Sequence, residues 1–427
     1  MSRARIGPRG ALCGEAKVPG DKSITQRAIL IAALAPGTTR IRGANPGLDA
    51  RAALGIVRQL GARVSASVRE GILIRGGALE ESDRVLDARN SGTALRLSTG
   101  LLAAQPFLSI ITGDPSLRRR PVARVLEPLR VLGADLTARQ GDRFPPIVVR
   151  GRSLQGAAIM TSVPSAQVKS AVLLAGIQAQ GVTSVRESVL TRDHTERMLP
   201  QFGVPVERDG TASRVRGPAS LHPAEIEVPG DFSAASFLLA AASIVRGSDI
   251  VLKGVGVNPT RTAFLDHLER VGSGLTRGNE RVASGEPVSD LHVRAGKIRG
   301  ARVTPEEVPR LIDELPLVAV LAAFAEGKTV VHGADELRVK ESDRVATVAA
   351  GLRAIGVEVD EHPDGWTIHG KGGRVRGGTV DAAGDHRIAM AFMVAGLAAR
   401  EGVTVLGAES ARVSDPGFLS RLRGLFR

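Results

Sequence analysis

Apolar residues along the chain fall into short, nearly continuous runs, each introduced by a polar loop and followed by a β-branched stretch. The arrangement recurs at Pro19-Gly20-Asp21-Lys22-Ser23, Asn90-Ser91-Gly92-Thr93 and Ser165-Ala166-Gln167-Val168-Lys169. It recurs again at Pro229-Gly230-Asp231-Phe232-Ser233, Asp313-Glu314-Leu315-Pro316 and Gly384-Asp385-His386-Arg387. Each run predicts a helix started by its polar loop, and each β-branched stretch predicts a strand. The starts lie about seventy residues apart, the size of a small supersecondary unit that buries its apolar face only against neighbours. Six copies predict two groups of three.

The first and fourth copies are the closest pair. Both place Pro-Gly-Asp before a Ser and an Ala/Leu/Ile run, which ends near Pro36-Gly37 in one case and Gly247 in the other. Pro-Gly-Asp alone is ordinary turn chemistry, but the shared continuation favours a duplicated domain, with chain crossings near residues 20 and 230.

Composition narrows the function classes. With 427 residues, 43% hydrophobic and 24% charged, the chain has the make-up of a globular protein of two or three domains. Its longest apolar stretch, Ile388 to Ala399, falls short of a bilayer span, and the arginines of Met1–Gly10 precede no signal-peptide core. The expectation is a cytoplasmic protein with no membrane association. A single cysteine, Cys13, and eight histidines without ligand spacing argue against a metal site, and no cofactor is expected. The net charge of +13 suits anionic partners, and small phosphate-bearing molecules and nucleic acid both fit it. Low aromatic content, with no Tyr and only Trp366, argues against a single-strand binder, so no nucleic-acid partner is expected.

The loop–helix junctions carry the candidate chemistry. Around Lys22 a helix is predicted to begin near Ser23 and end before Pro36, setting Ser23 and Arg27 one turn apart on one face. Free N–H groups and the positive end of the helix dipole, with Lys22 and Arg27, suit a phosphate or carboxylate. Gly92 offers close backbone approach, and Arg118-Arg119-Arg120 follows in a loop. Lys340-Glu341-Ser342-Asp343-Arg344 and Asp385-His386-Arg387 again set cations beside carboxylates. Any one of these segments also reads as a capped helix with solvated charges or a surface ion pair. Together they suit the joining of two polyanions, where one charge pair at about 5 Å repels by about 3 kcal/mol at an effective dielectric near 20. Lys22, Arg27, Arg120, Lys340, Arg344 and Arg387 would offset that repulsion, leaving Asp313 and Glu341 to move protons.

These segments, with Arg338-Val339 before Lys340, closely resemble the EPSP synthase (3-phosphoshikimate 1-carboxyvinyltransferase) family, in order and spacing over essentially the whole chain. The resemblance implies an α/β (α+β) fold, the enolpyruvyl transferase or inside-out α/β barrel, of two similar domains each built from three βαβαββ units. Residues 20–229 would form the upper domain and 1–19 with 230–427 the lower, the active site lying in the cleft between them. It implies a transferase of the shikimate pathway, a monomer, that moves the enolpyruvyl group of phosphoenolpyruvate to the 5-hydroxyl of 3-phosphoshikimate. By motif, Lys22, Ser23, Arg27, Ser165, Ala166, Gln167, Arg192, Asp313 and Lys340 would contact shikimate 3-phosphate. Lys22, Gly92, Arg120, Gln167, Arg344 and Arg387 would hold phosphoenolpyruvate. Asp313, Glu341 and Lys22 are the implied catalytic residues, working by addition and elimination through a tetrahedral intermediate. Asp49 matches a family acidic residue near the cleft.

Two departures bear on this. A C-terminal lysine of some members is absent from Glu409-Ser410-Ala411-Arg412-Val413-Ser414-Asp415-Pro416, so either Arg412 takes its place or the contact is missing. The related UDP-N-acetylglucosamine enolpyruvyl transferases usually carry Lys-Asn at the first junction and a loop cysteine, where this chain has Lys22-Ser23 and no cysteine in 113–121.

Overall fold

The computed structural model describes residues 2–67 and 70–426. The chain forms two compact units. Gly20–Val228 together with Val282–Glu286 makes one, here the N-terminal unit; the residues up to Pro19, Pro229–Arg281 and Pro287 onward make the other, the C-terminal unit. Each has its own hydrophobic core.

Among the described residues six sheets repeat one plan, three to a unit. In each, an outer strand pairs parallel with the strand that follows a buried helix. In the N-terminal unit these pairs are Glu225–Glu227 with Gly37–Arg42, Leu86–Asp87 with Leu108–Thr112, and Ala158–Met160 with Gly181–Arg186. In the C-terminal unit they are Cys13–Ala16 with Asp249–Gly256, Arg302–Val303 with Glu326–Val331, and Gly378–Asp381 with Val403–Leu406. Antiparallel strands complete four-stranded sheets in five cases. The sixth sheet has three strands, closed by Arg3–Ile6.

The parallel pairs explain the crossings. Leu86–Asp87 leads through a helix to its own partner strand, as a βαβ unit requires. Cys13–Ala16, by contrast, precedes the helix of the N-terminal unit yet pairs with Asp249–Gly256, while Glu225–Glu227 pairs back onto Gly37–Arg42. The first and fourth repeats have therefore exchanged their outer strands, and the chain passes from unit to unit at 19/20 and at 228/229.

The six runs form the helices Lys22–Leu34, Gly92–Leu102, Ala166–Gly176, Phe232–Ile244, Leu315–Phe324 and His386–Ala398. They are apolar on nearly all faces, which is stable only where sheets surround them. Every residue of Gly92–Leu102 and of Leu315–Phe324 is buried. Close packing of these helices needs small residues. A Cβ on Gly100 would sit 2.2 Å from the Ala171 carbonyl oxygen, so glycine there lets Gly92–Leu102 lie against Ala166–Gly176. Connecting helices are amphipathic instead: Ala263–Val271 buries Phe264, Leu268 and Val271 and turns Asp266 and Glu269 to solvent.

Candidate active site

In the N-terminal unit the first turns of the three buried helices meet. Ser91 Oγ donates to Gln26 Oε1 (2.5 Å), Gln167 Nε2 to Thr93 Oγ1 (3.0 Å), and Arg27 Nη2 to Ser170 Oγ (2.9 Å). Their caps are read from local sequence. Asp21, Ser91 and Ser165 accept from the amides of Ile24, Ala94 and Val168, as short polar side chains at an N-cap do. Converging helix starts sum their positive dipole ends, which draws anions to this end of the unit.

Lys22 stands at the rim, half-buried, with its ammonium 2.9 Å from the Asp49 carboxylate. Arg27 is different, because it is almost wholly buried. It donates to Thr195 Oγ1 at 2.8 Å and to the Ser23 carbonyl at 3.1 Å. Burial pulls this guanidinium down to about 10; Glu196 and Asp21 oppose the shift, and Arg192 adds to it. Of the arginine run, Arg118 and Arg119 are exposed, while Arg120 turns inward and donates to Asn90 Oδ1 at 3.3 Å. Arg120 and Gln167 both lie beside Gly92: an added Cβ would be 3.4 Å from Arg120 Nη1 and 3.8 Å from Gln167 Oε1. Ser23, Ser165, Ala166, Gln167 and Arg192 are half-buried in the same unit.

The C-terminal unit repeats the convergence with more charge. Ser233 Oγ donates to Glu314 Oε1 (2.7 Å), and Arg387 Nη1 contacts Ser233 Oγ and donates to the Asp313 carbonyl (3.0 Å). The Asp313 carboxylate lies 3.4 Å from Arg387 Nη2, 3.7 Å from Arg344 Nη1 and 3.8 Å from Arg261 Nη1. Arg344, 1% exposed, ties Glu341 (2.6 Å) to Asp385 (2.7 Å); among the described residues its Nη1 makes no hydrogen bond, and it lies 3.7 Å from the Asp313 carboxylate. Burial alone would raise the Asp385 carboxyl, but the Arg344 guanidinium outweighs it and holds Asp385 below the usual carboxylate range. Lys340 lies 3.5 Å from Glu336, and desolvation lowers its ammonium from the ordinary lysine value.

The residues singled out in sequence thus gather as two sets. Lys22, Ser23, Arg27, Gly92, Arg120, Ser165, Ala166, Gln167 and Arg192 belong to the N-terminal unit, and Asp313, Lys340, Glu341, Arg344 and Arg387 to the C-terminal unit. Sequence reasoning assigned no role to Arg96, Arg261, Glu314 or Asp385. Arg96 donates to Gln167 Oε1 at 2.8 Å and to the Pro121 carbonyl at 3.1 Å. Its signal was available, since it is a lone cation inside an apolar helix. Buried Glu314 takes Arg261 at 3.0 Å, with Arg387 at 3.6 Å. Arg412 lies exposed on the short helix Ala408–Val413. Among the described residues no group of three or more His, Cys, Asp or Glu side chains is placed to hold a metal ion, and no helix is long and apolar enough to cross a membrane.

Two units of three sheet-and-helix repeats around buried helices, five of the six sheets four-stranded, each unit with charged groups at converging helix starts, are the enolpyruvyl transferase fold. The enolpyruvyl transferase NikO from Streptomyces tendae shares it, with a TM-score of 0.79 at 17% identity over 99% of this chain and 96% of that one. The chain belongs to the EPSP synthase (3-phosphoshikimate 1-carboxyvinyltransferase) family, whose model matches residues 6–422. A relative from Anaeromyxobacter sp. named 3-phosphoshikimate 1-carboxyvinyltransferase is 49% identical over 98% of this chain and 97% of its own. The EPSP synthase structure from Acinetobacter baumannii superposes with a TM-score of 0.89 at 40% identity, covering 99% and 98% of the two chains.

Proposed function

We propose that this chain transfers the enolpyruvyl group of phosphoenolpyruvate to the 5-hydroxyl of shikimate 3-phosphate, releasing phosphate, as a monomer in the cytoplasm. The observation that carries the reading is Asp313. It is a carboxylate at a buried helix start with three arginines, Arg387, Arg344 and Arg261, within 3.8 Å. A carboxylate so placed can accept the proton of a substrate hydroxyl that reaches it.

Asp313 removes the 5-hydroxyl proton as that oxygen attacks C2 of phosphoenolpyruvate, and Glu341, with Lys22, protonates C3. A tetrahedral intermediate results, with a new methyl group and the phosphate still attached to C2. Return of a methyl proton to Glu341 and departure of phosphate, which takes the proton held by Asp313, then give the enolpyruvyl ether. Both unit sets act in this one reaction: Lys22, Ser23, Arg27, Ser165, Ala166, Gln167, Arg192, Asp313 and Lys340 on shikimate 3-phosphate, and Lys22, Gly92, Arg120, Gln167, Arg344 and Arg387 on phosphoenolpyruvate. Arg344 is paired with Glu341 at 2.6 Å, so a substrate carboxylate drawn to Arg344 competes with Glu341 for the guanidinium.

Mass analysis of shikimate 3-phosphate incubated with phosphoenolpyruvate and the protein should show the gain of one enolpyruvyl group. Asp313→Asn should lower kcat by roughly 10²–10⁴ with substrate affinities nearly unchanged. Near-normal turnover in that variant would remove Asp313 from the mechanism.

A further inference from the structure

Beneath the N-terminal site lies a buried charge cluster that the reaction does not use. Lys169, on the helix Ala166–Gly176, is 1% exposed, and Glu187 and Glu196 are each 3% exposed. Its ammonium lies 2.6 Å from Glu187 Oε2 and 2.8 Å from Glu196 Oε1, and it donates to the Thr191 carbonyl at 3.4 Å. Glu187 in turn accepts from the Thr191 amide at 3.3 Å and from the Thr191 hydroxyl. Two side chains, through three hydrogen bonds, therefore grip residue 191, one position before Arg192. On the far side of Arg192, buried Asp193 is fixed by Arg197 and Arg208, each at 2.9 Å.

The other arm of the cluster reaches Arg27. Glu196 is adjacent in the chain to Thr195, whose hydroxyl accepts from Arg27 Nε at 2.8 Å. Ser170, next to Lys169, lies 2.9 Å from Arg27 Nη2 and 2.7 Å from Thr195 Oγ1. Lys169 thus ties together three elements: its own helix, which begins with Ala166-Gln167; the loop that carries Arg192; and the short helix His194–Met198 that braces Arg27. A buried ion cluster of this kind adds little stability over apolar side chains of similar volume, whereas it does impose one fixed arrangement.

We infer that Lys169 is a positioning residue that sets Arg192 and Arg27 for the phosphate of shikimate 3-phosphate, through Glu187 and Thr191 on one side and Glu196 and Thr195 on the other. The inference rests on the proposed function. It bears first on shikimate 3-phosphate, because the cluster's contacts run to Thr191, beside Arg192, and through the Glu196 segment to Thr195, which holds Arg27.

The test compares Lys169→Met combined with Glu187→Gln, which removes one charge of each sign, with Thr191→Val, which removes the hydroxyl's hydrogen bond to Glu187 and leaves every charge and both backbone contacts in place. Calorimetric titration with shikimate 3-phosphate alone should show its Kd raised about tenfold in the double variant and severalfold in Thr191→Val. In steady state the KM for shikimate 3-phosphate should rise likewise, while kcat and the KM for phosphoenolpyruvate stay within about twofold. Lys169→Arg, which keeps the charge, should recover part of the affinity. A double variant that melts like the parent and binds shikimate 3-phosphate as tightly overturns the inference. If the double variant does not fold, an unchanged Kd in Thr191→Val overturns it. A parent protein that does not turn over the two substrates overturns the functional reading itself, and this inference with it.

Discussion

A Cβ on Gly92 would lie 2.6 Å from Arg96 Nη1, closer than such atoms approach, and Arg96 is held there by Gln167 and Pro121. Gly92→Ala must therefore displace Arg96 and crowd the space beside Arg120. The expected outcome is a rise in the KM for phosphoenolpyruvate of about tenfold, with little change in that for shikimate 3-phosphate, read from steady-state kinetics. At this scale the sequence was legible where chemistry is local: Lys22-Ser23, Gly92 and Ser165-Ala166-Gln167 stand out as cap and loop residues. It was opaque where a role depends on a partner far along the chain. Arg96 meets Gln167 across 71 positions, Arg261 meets Glu314 across 53, and Arg344 meets Asp385 across 41. No periodicity reports such pairs, which exist only once the helices pack.

At the scale of the element, helix starts do the organising. Asp385 accepts the Arg387 amide at 2.9 Å as N-cap of His386–Ala398 and holds Arg344 Nε at 2.7 Å, so one carboxylate sets two of the arginines assigned to phosphoenolpyruvate. Asp385→Asn keeps an acceptor for the cap but leaves Arg344 with one charge fewer opposite it. Removing one side of a buried pair costs about 3 kcal/mol, so chemical denaturation should show a loss of that order and the KM for phosphoenolpyruvate should rise. The helices themselves were readable because their apolar runs have clear capping loops, and Asp21, Ser91, Ser165, Asp231 and Asp385 all cap as short polar residues do. The strand exchange between the first and fourth repeats was not readable as pairing. Cys13–Ala16 is short, and only the fold shows that it joins Asp249–Gly256.

On the scale of the whole molecule, two similar units repeat one plan but differ in charge. The C-terminal site holds four carboxylates, Asp313, Glu314, Glu341 and Asp385, close to Arg261, Arg344 and Arg387, whereas the N-terminal one is mainly cationic. Acid should unsettle the C-terminal unit in two stages. Buried His267 is pulled down to about 4, first by desolvation and then by Arg270. It stays neutral when folded but takes up a proton when unfolded below about pH 6.5, so stability should fall by about 3 kcal/mol between pH 6.5 and 4. Asp385, held below the ordinary carboxylate range, contributes stability above that range and loses it as pH drops through its lowered value. Thermal melts of His267→Phe against the parent should show the first slope flattened and the second retained.

The central claim is that cations and proton-moving carboxylates from this fold join phosphoenolpyruvate to shikimate 3-phosphate. Continuous measurement of phosphate release tests it most directly. The account predicts release that requires both substrates together and persists with EDTA present. Release from phosphoenolpyruvate alone, or none with the complete pair, would contradict it.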